Sequence, residues 1–315
     1  MKDLTAPLIS IAICTFNGEK YLRKQLDSLV SQTYPNLEIV AVDDMSTDQT
    51  WEILQEYHRR YPRFNCLRNS RNLGLQKNFE QALKHCHGEW IAISDQDDLW
   101  AKDKIQKLYD ISHGNILVYH DSEFINENEE SLDMRMSEKL NFVRGKSPKP
   151  FLLFNCVSGH SMMFHNSLLE KALPFPEVGF YDHWLAFVAC HWGSIDFIKE
   201  PLVKYRQHSH NVTDILGKNK HPKCLSRTLK RITTENEWLK TCAAYQDRFG
   251  KPTYAKALYG TAKKRLNNYF NLHFGWEIWV NRESLLTIKR DNNLDKFWYA
   301  VRNIWGIKMK ALFKS

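Results

Sequence analysis

The feature that most constrains this chain is an alternation across its first 120 residues. Short apolar runs of strand length at 8–14, 37–42, 64–67, 90–94 and 116–119 are separated by helix-period segments at 19–32, 51–61, 75–86 and 102–111. In the first helical segment Tyr21-Leu22, Leu26 and Leu29-Val30 fall on one face, and Ser46-Thr47-Asp48 supplies capping residues before the second. Strand–helix alternation with short connections predicts an α/β fold: a doubly wound, mainly parallel sheet with helices on both faces. Such sheets bind ligands beyond the carboxyl ends of their strands. Thr15, Asp43-Asp44 and the run Ile93-Ser94-Asp95-Gln96-Asp97-Asp98 all fall there.

The rest of the chain differs in character. Residues 126–150 are polar, with an acidic run at 127–130, and are expected to form a loop or excursion; apolar patterning returns at 151–164, 181–190 and 195–205. Beyond residue 215 the chain reads as helical, basic and rich in aromatics, with Pro222 and Pro252 as breaks. Residues 215–315 carry 21 Lys+Arg against 7 Asp+Glu, while the first 214 carry 23 against 29. That asymmetry predicts two regions, 1–214 and 215–315. Seven scattered cysteines, mostly in apolar stretches, suit reduced thiols in a cytoplasmic protein better than a disulfide framework, so the sequon at Asn211 is expected to stay unused. No apolar run has the length of a signal-peptide core or a membrane span.

Carboxylates one residue apart after an apolar strand suit a hard cation with oxygen ligands, Mn2+ or Mg2+, whose shell substrate phosphates complete. Asp95 and Asp97 fit that use. Asp98 is adjacent to them and reads as a cap of the helix that follows. Other chemistries lack their marks: there is no Gly-x-Gly-x-x-Gly, no Gly-x-Ser-x-Gly, a phosphate loop at Gly145-Lys146-Ser147 lacks its first glycine, and His85 and His87 have no second ligand pair.

The segments Ile11–Asn17 in sequence (Ile-Ala-Ile-Cys-Thr-Phe-Asn), Val40-Ala41-Val42-Asp43-Asp44-Met45-Ser46-Thr47-Asp48, Asn69-Ser70-Arg71-Asn72-Leu73-Gly74 with Asn78, and the acidic run resemble family 2 glycosyltransferases in order and spacing over residues 8–210. Val157-Ser158-Gly159-His160, Tyr181-Asp182-His183-Trp184 and the segment from Tyr205 to Asn211 look most like bacterial rhamnosyltransferase-type members that build surface polysaccharides. The resemblance implies an inverting, metal-dependent transferase of the GT-A type. It would move a sugar from a nucleoside diphosphate donor (dTDP-rhamnose or a UDP-sugar) to a hydroxyl of a saccharide or lipid-linked saccharide. By position, Thr15, Phe16 and Asn17 would line the nucleoside pocket and Asp44 would bond the base or ribose. Arg71 and Gly74 would border the base, Asp95 would support ribose and metal, and Asp97 would hold the metal, with His208 adding a metal or diphosphate contact. Asp182 would be the general base.

The chain departs from the family where Tyr181, rather than Glu, precedes Asp182, so Glu177 stands as an alternative base and Asp182 as a helix N-terminal residue. There is no Gln-x-x-Arg-Trp motif, which speaks against processive polymerisation. Two further readings stay open: an inactive nucleotide-sugar binding module, and a nucleotidyltransferase, whose Gly-rich basic loop is missing after the first strand. Segment 294–313 interleaves Lys296, Arg302, Lys308 and Lys310 with five aromatics. It reads either as a helix lying in an anionic membrane surface, which would place the enzyme on the inner face of the cell membrane, or as part of a helical bundle. No nucleic-acid-binding motif accompanies the charge.

Overall fold

The computed structural model describes residues 6–208 and 224–312. The chain divides into two compact units, the first comprising Met1–Lys146, Val157–Phe175 and Phe180–Ser209, the second Ser147–Cys156, Pro176–Gly179 and His210–Ser315. The expected boundary between 214 and 215, Pro222, the sequon and the family segment from 209 to 211 lie outside the described residues.

The first unit is built on one nine-stranded sheet: β1 (Ile9–Thr15), β2 (Leu37–Asp43), β3 (Phe64–Arg68), β4 (Trp90–Ser94), β5 (Leu99–Trp100), β6 (Asn115–Ile125), β7 (Ser131–Arg135), β8 (Met162–His165) and β9 (Ser194–Arg206). Its helices are α1 (Glu19–Val30), α2 (Thr50–Arg60), α3 (Leu75–Lys84), α4 (Lys104–Asp110), α5 (Leu169–Ala172) and α6 (Tyr181–Trp192). The strand order is β3-β2-β1-β4-β8-β6-β9-β5, with β7 on β6. β1 to β4 pair in parallel; β1, β2 and β4 are near-continuous apolar runs because both their faces are covered, whereas the edge strand β3 buries only Phe64. β8 is antiparallel to both β4 and β6, and β9 runs parallel to β6. Two reversals cancel, so β6 and β9 point the same way as β4, and the carboxyl ends of β1, β2, β4, β6 and β9 share one edge of the sheet.

The core packs Ile9, Ile11 and Ile13 against Leu22, Leu26 and Leu29 of α1, each fully buried. Burial of each such side chain contributes about 1.5–3 kcal/mol. Gln25 sits on that same buried face, and its Nε2 donates to Ser94 Oγ at 2.6 Å. A polar group there is tolerated because it is bonded, and it fixes the residue preceding the acidic run.

Local expectations are corrected at three places. Residues 126–150 include β7, a short hairpin partner of β6, because the Asn126 side chain accepts from the N–H groups of Asn128 and Glu130 and closes the turn. Asp98 caps no helix: β5 follows it, and α4 begins only at Lys104. Before α2, Ser46 turns back onto Asp43, and Asp48 alone bonds the helix start, accepting from Thr50 N–H at 3.0 Å.

The second unit is helical: α7 (Leu225–Arg248), α8 (Tyr254–Ala262), α9 (Leu272–Val280), α10 (Arg282–Leu285), α11 (Asn293–Ile304) and α12 (Ile307–Leu312). Its interior holds Ile232, Leu239, Cys242, Leu258, Phe274 and Ile278. The buried Arg265 ties three helices together, donating to Glu235, Asn236 and Asn303 while its guanidinium lies 4.2 Å from the Phe274 ring centroid. The basic stretch 294–313 is two helices rather than one. The chain breaks at Trp305-Gly306, where Gly306 N–H donates to Tyr269 O and a Cβ would lie 1.9 Å from Asn268 O; Phe313 lies outside the described residues. No helix among the described residues is long and apolar enough to cross a membrane.

Candidate active site

Parallel β1, β2 and β4 deliver Thr15, Asp43-Asp44 and Asp95 to one edge, and the loops there are knitted to one another. Asn17 adopts a left-handed φ of 47°. Its N–H donates to Ser46 Oγ and its Oδ1 accepts from Thr47 N–H, both at 2.9 Å. Thr15 is buried, with its hydroxyl 3.2 Å from Asp43 Oδ1, and Asp43 also accepts from Ser46 and Arg68. Phe16 stands out into solvent, 46% exposed. Its backbone is held by Gln96, whose Oε1 accepts from Phe16 N–H at 2.9 Å and whose Nε2 donates to Phe16 O at 3.1 Å. Gln96 therefore couples the first loop to the acidic one, a role its sequence context did not reveal.

Asp44 turns its carboxylate into the 69–74 loop. Oδ1 accepts from Asn69 Nδ2 and Leu73 N–H, and Oδ2 from Gly74 N–H, at 2.7–2.8 Å. Gly74 sits at φ 80°, ψ 162°, a conformation reserved for glycine, which lets its N–H reach that oxygen before α3 begins. Arg71 is exposed on the same loop.

Because β9 runs with β4, its carboxyl end arrives beside the acidic run. Arg206 is fully buried; its N–H donates to Asp98 Oδ1 at 3.0 Å and its Nε to Asp97 O at 2.8 Å. Its other nitrogens reach Glu127 O and Glu129, and its guanidinium lies 4.6 Å from the Tyr21 ring centroid. The 126–130 turn is also held from α1, by Lys20 on Glu127 and Lys24 on Glu129. Two residues on, His208 Nε2 lies 2.7 Å from Asp97 Oδ2, and its ring stacks on Tyr21.

His160 is the site residue that residue-type reasoning passed over. It is buried, with Nε2 2.8 Å from Ser122 Oγ, and its Nδ1 lies 3.6 Å from Asp95 Oδ2 and 3.8 Å from Asp98 Oδ2. Asp95, Asp98 and His160 offer three donor atoms within 4.8 Å of one another. Burial, then the like charges of Asp97 and Asp95, push the Asp98 carboxyl well above the usual carboxylate range. Beneath them the buried Lys104 donates to His160 O at 2.6 Å, and burial holds its amine well below the usual lysine range despite Asp98 and Asp95.

Asp182 lies in the first turn of α6, where Oδ1 accepts from His183 N–H at 2.6 Å. Burial pushes its carboxyl up to about 7; bonds from the His183 and Gly159 N–H groups oppose that rise, and the charge of Asp95 adds to it. The neighbouring Tyr181 points at Gly159, where a Cβ would lie 2.0 Å from the phenol oxygen. Gly159 thus lets the segment before β8 close against the start of α6. Asp182, Asp95, Asp97 and His208 belong to the first unit, with Asp97 and His208 meeting across 111 positions.

The arrangement offers carboxylate and imidazole donors close enough together to hold a metal ion, a carboxyl held near 7, and loops at the mouth of a parallel sheet. The chain matches the family model for glycosyl transferase family 2 over residues 10–172. It is 31% identical to an uncharacterized glycosyltransferase of Rickettsia typhi over 229 residues, 68% of this chain and 69% of that one. The fold is similar to that of S. aureus TarS in complex with UDP-GlcNAc, with a TM-score of 0.56 and 17% identity over 96% of this chain and 89% of that one. It is also similar to the mannosyltransferase PcManGT of Pyrobaculum calidifontis in complex with GDP-Man and Mn2+, with a TM-score of 0.52 and 20% identity over 98% and 79% of the two chains. The chain belongs to glycosyl transferase family 2 and has the GT-A type of fold that the family resemblance implies.

Proposed function

We propose that this glycosyltransferase is a metal-dependent, inverting enzyme that transfers a sugar from a nucleoside diphosphate donor to a hydroxyl of a saccharide or lipid-linked saccharide, in the building of a surface polysaccharide. The observation that carries the reading is the meeting, at one sheet edge, of the acidic run with Asp182, whose carboxyl is held near 7. The donor class is supported by the two structural relatives, which were seen with UDP-GlcNAc and GDP-Man. A UDP-sugar or dTDP-rhamnose is the donor that the family resemblance implies.

Thr15, Phe16, Asn17, Asp44, Arg71 and Gly74 form the nucleoside end. The exposed Phe16 ring offers a face for the base, while Asp44 and Gly74 shape the loop carrying Arg71. The oxygen-rich set fits Mn2+ or Mg2+, and among the described residues buried Asp98 Oδ2 has no hydrogen-bond partner, as suits a ligand-facing oxygen. Asp97 with His208, supported by Asp95, would hold the ion, because these side chains retain some solvent access for a substrate phosphate. The orphan Asp98 oxygen favours a second donor set, Asp95, Asp98 and His160. The ion, when bound, neutralises charge on the departing diphosphate.

The acceptor oxygen attacks the anomeric carbon opposite the diphosphate. As the new carbon–oxygen bond forms, the bond to the diphosphate breaks, and Asp182 takes the acceptor proton. A carboxyl with a value near operating pH suits that task. Donor binding is tested by thermal shift with UDP-GlcNAc, GDP-mannose and dTDP-rhamnose, each with Mn2+. A saturating donor at about 100 times its Kd stabilises by about 2.7 kcal/mol. No shift with any of the three overturns the donor reading, and release of pyrophosphate instead of nucleoside diphosphate would make the chain a nucleotidyltransferase.

A further inference from the structure

The second unit carries an apolar surface made of none of the residues assigned to the candidate site. On α9, Leu272, Trp276 and Val280, spaced four apart, are 69%, 64% and 54% exposed. On α11, Leu294, Phe297 and Trp298 are exposed along a single stripe, with Val301 partly so. The two helices meet at Gly275, where a Cβ would lie 2.3 Å from the Ile304 side chain, so glycine permits their close approach. Between them runs a groove of about 630 Å³ lined by Leu272, Trp276, Trp279, Phe297, Val301 and Ile304, among others. Contiguous exposed apolar surface of this kind marks an interaction site.

Its surroundings are cationic. The Arg282 guanidinium lies 4.2 Å from the Trp279 ring centroid, Arg302 Nε donates to Trp298 O at 3.3 Å, and Lys308 Nζ lies 5.8 Å from the Tyr269 ring centroid. Residues 263–312 carry ten Lys+Arg, of which Arg265 is buried, against four Asp+Glu, of which Glu277 lies on α9 and Asp295 on α11, so the balance stays positive.

We propose that the α9–α11 surface docks on an anionic lipid bilayer, with Leu272, Trp276, Phe297 and Trp298 entering the headgroup–acyl boundary and Arg302 and Lys308 meeting anionic headgroups. Charge decides among occupants. A second copy packed symmetrically on this face would oppose one cationic rim to another, and an uncharged apolar partner would gain nothing from the rim. An anionic bilayer matches both the apolar centre and the basic border. Exposed tryptophans and an interfacial arginine or lysine are the side chains such a boundary accommodates. The inference is independent of the donor and acceptor assignments.

The test is co-sedimentation of the full chain with vesicles of phosphatidylcholine alone and of phosphatidylcholine mixed with phosphatidylglycerol. The wild type should partition strongly only onto the mixed vesicles. W276S/W298S should lose about ten-fold or more of that partition, and R302Q/K308Q about five-fold for each charge removed. Brominated acyl chains should quench tryptophan fluorescence of the wild type, a reading that requires no substitution. Partition indifferent to phosphatidylglycerol, equal partition of wild type and variants, or absence of quenching overturns the proposal. So does concentration-dependent self-association that W276S abolishes, since a second copy would then cover the face.

Discussion

Asp182 yields the sharpest prediction, because one carboxyl links activity and stability with opposite signs. Its value near 7 means that about a tenth of the folded molecules hold it ionised at pH 6 and about nine tenths at pH 8. If the ionised form takes the acceptor proton, kcat/KM should rise about nine-fold between those values. Asp182→Asn should lower turnover by about 10²–10⁴-fold, remove that limb and leave donor binding nearly unchanged. Stability should move the other way. The free carboxyl titrates near 3.8, so between about 4 and 7 the folded state keeps a proton that the unfolded chain has released. Raising pH through that window weakens the fold, and the penalty is complete above 7. The asparagine variant should therefore match the wild type at pH 4 and exceed it at pH 8, read by urea midpoints at both values. Nucleoside diphosphate release in a coupled assay, followed from pH 5.5 to about 8.5, reports the activity arm. Wild-type turnover in the variant, a limb near 7 that survives the substitution, or a less stable variant at pH 8 would refute the reasoning.

Asp97→Ala should abolish metal-stimulated turnover, and full activity without added metal would remove it from the site; comparison with Asp98→Asn separates the two donor sets by which one shifts the Mn2+ titration. Gly74→Ala forces a side chain into φ 80°, ψ 162° and should cost about 1–3 kcal/mol in urea unfolding, with donor affinity falling as the loop shifts. Arg206→Met leaves Asp97 O and Glu127 O without their buried donor. It should cost about 1–3 kcal/mol for each orphaned acceptor and lower kcat as the acidic run loosens, whereas an unchanged melting temperature would contradict the strap. Gln96→Ala should raise KM for the donor several-fold with a stability change of about 1 kcal/mol, since its bonds go only to the exposed Phe16 backbone.

Of the parallel half of the sheet, β1, β2 and β4 were legible because they are buried on both faces and read as near-continuous apolar runs: 90–94 matches β4, and 37–42 falls one residue short of β2. The short strands β5 and β7 were not: two residues are too few to show a period, and the alternation of β7 lasts only five residues inside a polar stretch. Within the site, the acidic run and its neighbours stood out as carboxylates beyond strand ends. Arg206 and His160 did not, because a buried cation and a buried imidazole look like any other polar residue until the partners are known. The only sign of His160 was its place in a segment quoted for family likeness. The polar stretch after residue 126 hid its purpose for the same reason: its glutamates become a rim only when Lys20, Lys24 and Arg206 come to them.

The strap from β9 to the acidic run also orders events in time. Arg206 N–H reaches Asp98 across 108 positions, whereas β1 and β2 pair across 28. Closing the longer span costs about 4 kcal/mol of chain entropy, against about 3 for the shorter. On a ribosome the first four strands emerge and can pair while residue 206 is still unmade. The nascent sheet therefore holds Asp98 without its backbone donor, next to two other acids, for a hundred residues of synthesis. The candidate site is completed last, and a chain stopped short of β9 would carry the acidic run without Arg206 and His208.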